Sequence, residues 1–232
     1  MALRTEVHAD PAAVARRAAA WIAGVARQAI EQRDRCVLAL SGGSTPLPML
    51  RALATTAIDW RKVQVLQVDE RVAPSESPDR NLAQLRAALL ARIPLPAAQI
   101  HAMPVEDVDL VAAAEHYGRL LMRLAGAPPR LDLVVLGLGA DGHTASLVPG
   151  DAALDIRDAD VAVTALYKGR RRMTLTFPAI NRARHILWLV TGADKAETLA
   201  RLIHGDPALP ASRVNRASAL LLADRAAAGL AP

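Results

Sequence analysis

The chain has 232 residues, 52% of them apolar and 22% charged. That suffices for one sizeable α/β core and excludes wholesale disorder. The formal charge is +5, carried mostly by arginine, with Lys62, Lys168 and Lys195 the only lysines. Aromatics are 3%, which argues against a stacking groove for nucleic acid. A modest positive excess suits a small anionic ligand instead. No run of about 18 uncharged apolar residues is present, so no membrane span is expected. Met1 to Asp10 is charged and lacks the apolar stretch of a signal peptide. The single cysteine, Cys36, excludes an internal disulfide or a Cys-rich zinc module. These features lead us to expect a cytoplasmic protein that does not bind nucleic acid or membrane.

Val14, Ala18, Trp21, Ile22, Val25 and Ile30 recur at helical spacing and predict a helix over 11–33. Cys36 to Leu40 is a short apolar run that stops at Ser41-Gly42-Gly43, as a buried strand ending in a turn would. A helix is expected from Thr45 to Ala57. A second strand follows over 63–68 and ends at Asp69-Glu70-Arg71. After a polar loop, a helix is predicted from Asn81 to Ala91, then another from Asp107 to Leu124, with Asp109 or Asp107 as its cap. The most apolar strand spans 131–138 and runs into Gly139-Ala140-Asp141-Gly142-His143. Later strands are expected at 161–166, 173–176, 186–190 and 219–222. Helices are expected at 178–183 and 194–203, with a helical turn at the C-terminus.

Strands and helices alternate, and most strands are continuous apolar runs. Both features predict a single α/β domain over residues 1–232, with a mostly parallel, Rossmann-like sheet covered by helices on both faces. Four strands end in Gly, Asp or Thr clusters. Ligands of open α/β sheets bind at the carboxyl ends of strands, so the four clusters are expected to converge on one crevice.

Each cluster has a chemical reading and a plainer one. In 41–46, Gly42 and Gly43 let the backbone aim its N–H groups at an anion, Ser44 and Thr45 add hydroxyls, and Pro46 opens a helix. An ordinary capped turn fits the same residues. Neither a dinucleotide fingerprint nor a Walker loop is present. In 69–71, Arg71 suits a phosphate or carboxylate clamp, or the triplet is the solvated start of a loop. In 137–144, His143 is a candidate general base. Asp141 would orient it, and Gly142 with the N–H groups of a following helix would hold an oxyanion. The alternative is a capped turn with a surface histidine. In 191–195, Lys195 opposes the dipole of the helix it opens, which favours an anionic ligand nearby, unless it is only solvated. Cys36 and Trp188 read as core. The remaining histidines lack metal-ligand spacing, so no metal is expected.

Together these stretches resemble the 6-phosphogluconolactonases, whose superfamily also holds glucosamine-6-phosphate deaminases and ribose-5-phosphate isomerases. The resemblance runs in order through SGGSTP (41–46), VDERVAP (68–74) with Asn81, LGLGADGHTASLVPG (136–150), RMTLTFPAIN (172–181), VTGADKAETL (190–199), LPASRV (209–214) and DRAAA (224–228). It implies hydrolysis of 6-phospho-D-glucono-1,5-lactone to 6-phosphogluconate, the second step of the oxidative pentose phosphate pathway, without cofactor or metal. It matches His143 to the family's general base and Gly42, Gly43, Ser44 and Thr45 to its phosphate loop. Arg71 and Lys195 match substrate-binding cations, and Asp69, Asn81, Asp141 and Arg172 match further active-site positions. The expected partner is the small phosphosugar lactone, and the expected assembly a monomer or weak homodimer.

Two other functions compete. A deaminase of this superfamily would carry a carboxylate shortly after the histidine, where this chain has Val148. A sugar-phosphate sensor would need a DNA-binding segment, and the 35 residues before Cys36 read as one long helix. Two departures from the family pattern stand out. Arg80 precedes Asn81 where serine is usual, and Tyr167-Lys168-Gly169-Arg170-Arg171 replaces a stretch that is often proline-rich.

Overall fold

The structure is a computed structural model that describes residues 3–231. In chain order its elements are β1 (Arg4–His8), α1 (Pro11–Arg33), β2 (Cys36–Leu40), α2 (Pro46–Leu53), β3 (Val63–Gln67), β4 (Asp69–Arg71), α3 (Asn81–Ala88) and β5 (Ile100–His101). They continue with α4 (Leu110–Ala125), β6 (Leu133–Gly137), β7 (Val161–Val163), β8 (Arg172–Leu175), α5 (Phe177–Asn181), β9 (His185–Val190), α6 (Ala196–His204) and β10 (Ala219–Asp224).

Seven strands form one sheet in the order β1-β10-β9-β6-β2-β3-β5. Every pairing in it is parallel. The continuous apolar runs follow from burial on both faces. Leu38, Leu133, Val135, Leu187 and Leu222 face a core built with α1, α2 and α3. Their neighbours Val37, Val134, Leu136, Trp188 and Leu221 face the opposite core, with α4, α5 and α6. Successive strand residues point to opposite faces, so a strand covered on both faces reads as a nearly unbroken apolar run.

α1 is framed by local signals. Asp10 caps it by accepting from the Ala13 N–H at 2.7 Å, Pro11 opens it, and Asp34 ends it in the left-handed region. Its buried stripe is rich in alanine, which lets the helix lie close to the sheet. Trp21 and Ile30 fall beside that stripe and are only partly buried.

Several expectations change. β1 was not expected: the residues before Cys36 are a strand followed by a helix. β1 is an edge strand pairing with β10 alone, so its polar sequence hides the pattern. The segments at 161–166 and 173–176 are not strands of the parallel sheet. As β7 and β8 they join β4 in a separate antiparallel sheet, β4-β8-β7. Asp69-Glu70-Arg71 is therefore a strand, not the start of a loop. α2 ends four residues early because Thr55 and Thr56 turn their hydroxyls back onto the Ala52 and Leu53 carbonyls. α3 stops at Ala88 and passes into a 3-10 turn. α4 starts at Leu110, with Asp109 as its cap. Among the described residues no helix is long and apolar enough to cross a membrane.

Candidate active site

Strand order fixes where the site lies. From β2 the chain builds outward through β3 and β5 on one side, and from β6 through β9 and β10 on the other. The β2–β6 junction is thus a topological switch point, where a crevice opens beyond the carboxyl ends of the strands. The loops leaving β2 and β6 carry Ser41–Pro46 and Gly139–His143, so two of the four clusters flank that opening. The other two arrive from β4 and β9. The resulting crevice holds about 500 Å³ and is lined by residues of all four, a volume within the usual range for small-molecule sites.

The β2 loop presents backbone donors. Among the described residues, the N–H groups of Gly42, Ser44 and Thr45 make no hydrogen bond within the chain, whereas that of Gly43 donates to Gln84 Oε1 at 2.6 Å. Thr45 flanks α2 without a side-chain capping bond, so its hydroxyl is not spent as a cap. A Cβ on Gly42 would lie 2.3 Å from Asn81 Oδ1, so only glycine lets this loop pack on the start of α3.

The β4 residues supply charge. Arg71 and Arg172 are direct partners across β4 and β8. Like charges opposite each other on antiparallel strands are unfavourable. Both Nε atoms are buried without a partner. Arg71 spends one nitrogen on the Asp79 carbonyl at 2.6 Å, and among the described residues the Arg172 guanidinium makes one hydrogen bond, a long one of 3.4 Å to Ser146 Oγ. Burial pulls the Arg172 pKa down, against the attraction of Asp69. Two under-satisfied guanidinium groups side by side in a crevice are a site for an anion. Asp69, beneath them, accepts from Ser146 Oγ at 2.5 Å and from Asn81 Nδ2 at 3.1 Å. Burial nevertheless pushes its carboxyl up from the usual range.

Glu70, between these residues, was not a sequence candidate. It is wholly buried and accepts from Gln67 Nε2 and from the N–H groups of Arg71, Asn81 and Leu82 at 2.7–2.9 Å. It caps α3 and satisfies donors there that would otherwise be orphaned. Arg80, the unusual neighbour of Asn81, pairs with it at 3.1 Å and with Glu106 at 3.2 Å. The substitution at Arg80 therefore leaves Asn81 anchored to Asp69.

The β6 loop forms the dyad. His143 Nδ1 meets Asp141 Oδ1 at 2.5 Å. Desolvation alone raises the Asp141 pKa. The hydrogen bond and charge of His143, with a bond from Tyr167, overcome that and hold it at about 2. An ionised carboxylate makes Nδ1 the donor and leaves Nε2 as the basic nitrogen. A Cβ at Gly139 would fall 2.0 Å from Nδ1, so this glycine makes room for the imidazole. Gly142 stands at φ +82° and does not line the crevice. Its N–H donates to the Gly139 carbonyl at 3.0 Å, and the chain continues into a tight Thr144–Leu147 turn. The expected oxyanion donors, Gly142 and a following helix, are therefore absent.

Lys195 lines the crevice, partly neutralised by Asp194 at 3.1 Å. A second residue the sequence did not reveal is Tyr167. It stands against the dyad through its hydroxyl, 2.8 Å from Asp141 Oδ2. Contacts set by tertiary structure leave no local sequence signal. The neighbouring cations are not all aimed inward, since Arg170 pairs with Asp79 at 2.7 Å. Val148 is buried, so no carboxylate follows the histidine there. Among the described residues no group of three or more His, Cys, Asp or Glu side chains is gathered as a metal site requires.

The chain is similar to known proteins over most of its length. The profile of the glucosamine-6-phosphate isomerases/6-phosphogluconolactonase family matches residues 9–222. A 6-phosphogluconolactonase from Nostoc sp. is 40% identical over 208 residues, covering 87% of this chain and 86% of its own. The solved 6-phosphogluconolactonase of Thermotoga maritima superposes with a TM-score of 0.83 at 27% identity, over 95% of this chain and 98% of its own. A monomeric glucosamine-6-phosphate deaminase reaches 0.87 at 22% identity, over 99% of this chain and all of its own. That last likeness concerns the fold alone.

Proposed function

The chain belongs to the glucosamine-6-phosphate isomerase/6-phosphogluconolactonase family, and on that premise we propose that it hydrolyses 6-phospho-D-glucono-1,5-lactone to 6-phosphogluconate. The observation that carries this reading is His143, held by Asp141 at 2.5 Å, lining one crevice with Arg71 and Arg172, which have no salt-bridge partner among the described residues, and with the loop that carries the open N–H groups of Gly42, Ser44 and Thr45.

In this reading Nε2 of His143 takes a proton from water, and the hydroxide attacks the lactone carbonyl carbon C1. The carbonyl electron pair moves to oxygen, and the Arg172 guanidinium offsets that charge. When the C1–O5 bond breaks, the imidazolium returns its proton to the ring oxygen, leaving the open acid. The 6-phosphate is anchored by the Gly42–Thr45 loop and Arg71, with Lys195 at the rim. Remote binding of this kind positions C1 for attack. A lactone is an activated ester, so a base, a water and a charge stabiliser suffice. A deaminase-type proton relay would need a carboxylate where Val148 is buried, which disfavours that reading.

We place the protein in the cytoplasm, as a monomer or weak homodimer, and read residues 1–232 as one domain. A coupled assay tests the activity. Lactone generated freshly by glucose-6-phosphate dehydrogenase is consumed in the presence of 6-phosphogluconate dehydrogenase, and NADPH formation is followed with and without the protein. The expected result is a large acceleration over spontaneous opening. Equal rates with folded protein would reject the reading.

A further inference from the structure

Asp141 lies on an exposed loop, where an aspartate side chain ordinarily turns freely. Here both oxygens are engaged. Oδ1 accepts from His143 at Nδ1, 2.5 Å away, and Oδ2 accepts from the Tyr167 hydroxyl at 2.8 Å. Tyr167 comes from a distant part of the chain, the tight ribbon joining β7 to β8. Its N–H donates to the Arg170 carbonyl at 2.9 Å and its carbonyl accepts in return at 3.3 Å. The two residues between them, Lys168 at φ +51° and Gly169 at φ +77°, have the geometry of a two-residue hairpin turn. The ring is held as well. It meets the His143 imidazole edge-on at 5.6 Å, and the Arg172 guanidinium lies 4.9 Å from its centre.

We propose that Tyr167 is a positioning residue for the dyad: from this hairpin it fixes Asp141 and thereby sets both the orientation and the basicity of His143. A donor on Oδ2 withdraws charge from the carboxylate. Without it, Asp141 would hold the imidazolium proton more firmly, and His143 would stay protonated to higher pH. The other charged groups of the crevice are Asp69 and Arg71 on β4, Arg172 on β8, and Asp194 and Lys195 after β9, with Lys168 Nζ 5.2 Å from the centre of the Tyr167 ring. Tyr167→Phe changes none of these and keeps the ring, so it isolates the hydroxyl.

The experiment follows the His143 imidazole by NMR titration in the full-length protein, comparing wild type with Tyr167→Phe and Asp141→Asn. In parallel, kcat/KM is measured against pH with uncatalysed opening subtracted. Only the kinetic arm rests on the lactonase reading. The proposal predicts that Tyr167→Phe moves the midpoint up by about half a unit, which lowers kcat/KM about threefold on the acid limb. The high-pH plateau is largely retained, and the melting temperature is unchanged. Asp141→Asn, which removes the charge itself, should move the midpoint down. If the midpoint in Tyr167→Phe coincides with that of wild type, or moves down, the proposal is overturned. If no lactone hydrolysis is found in any variant, the lactonase reading fails while the titration still decides the role of Tyr167.

Discussion

The two residues of the proposed dyad are each held by something other than themselves. His143 owes its tautomer to Asp141, Asp141 is ionised because His143 and Tyr167 outweigh its desolvation, and the imidazole fits because residue 139 has no side chain. The depressed Asp141 pKa has a definite sign. Its folded value lies near 2 against an ordinary value near 4. The carboxylate interaction is therefore complete above about pH 4 and is lost only as pH falls toward 2. An acid limb of activity above pH 5 accordingly does not come from protonation of Asp141, and the pH profile of Asp141→Asn tests this by shifting that limb rather than removing it. Gly139→Ala puts a methyl group into the space of Nδ1. A displacement of this size costs on the order of 100-fold in kcat, with the melting temperature nearly unchanged. A kcat close to wild type would mean the imidazole has room that the structure denies it.

At the scale of elements, the small antiparallel sheet and the start of α3 act as one bracket for the anion site, and Glu70 is its pin. Glu70→Ala leaves Arg80 buried without its main partner and uncaps α3. Breaking a buried pair costs about 3–5 kcal/mol, or roughly 10 °C in melting temperature for a chain of this size. KM should rise as well, because the backbone N–H groups of Arg71 and Asn81 lose the Glu70 carboxylate that accepts from them. Thermal unfolding and steady-state kinetics on one preparation check both. Elements buried on both faces were legible in the sequence: β2, β6, β9 and β10 announce themselves as unbroken apolar runs, and α1 by its stripe and caps. β1 was not, because one edge of it is unpaired and its side chains are largely exposed. β7 and β8 were expected as strands, whereas β4 was not, and strands of three or four residues are too short to show which sheet they join. In the site, His143, Asp141 and the glycine loop were legible from their place after strands. Glu70, Tyr167 and the loss of the Gly142 N–H were not, because each depends on a contact that only the folded chain makes.

At the scale of the molecule, strand order matters more than any single motif. Because the chain turns outward in both directions from β2 and β6, the phosphate-type loop and the dyad lie on adjacent strands, about 4.8 Å apart at their origin. The small sheet then carries two guanidinium groups over the opening. Two facing guanidinium groups with partnerless Nε atoms favour binding of an anion. Saturation with 6-phosphogluconate at 100 times its Kd should stabilise it by about 2.7 kcal/mol, or roughly 5–10 °C in melting temperature. Arg71→Ala should remove most of that shift. An undiminished shift in that variant would move the phosphate away from Arg71. The most direct test of the whole account is His143→Ala, with kcat at saturating lactone measured beside the calorimetric Kd for 6-phosphogluconate. The account predicts a kcat lower by on the order of 100- to 10,000-fold, with Kd changed by no more than about threefold. A kcat retained within tenfold, or binding lost while turnover persists, would contradict it.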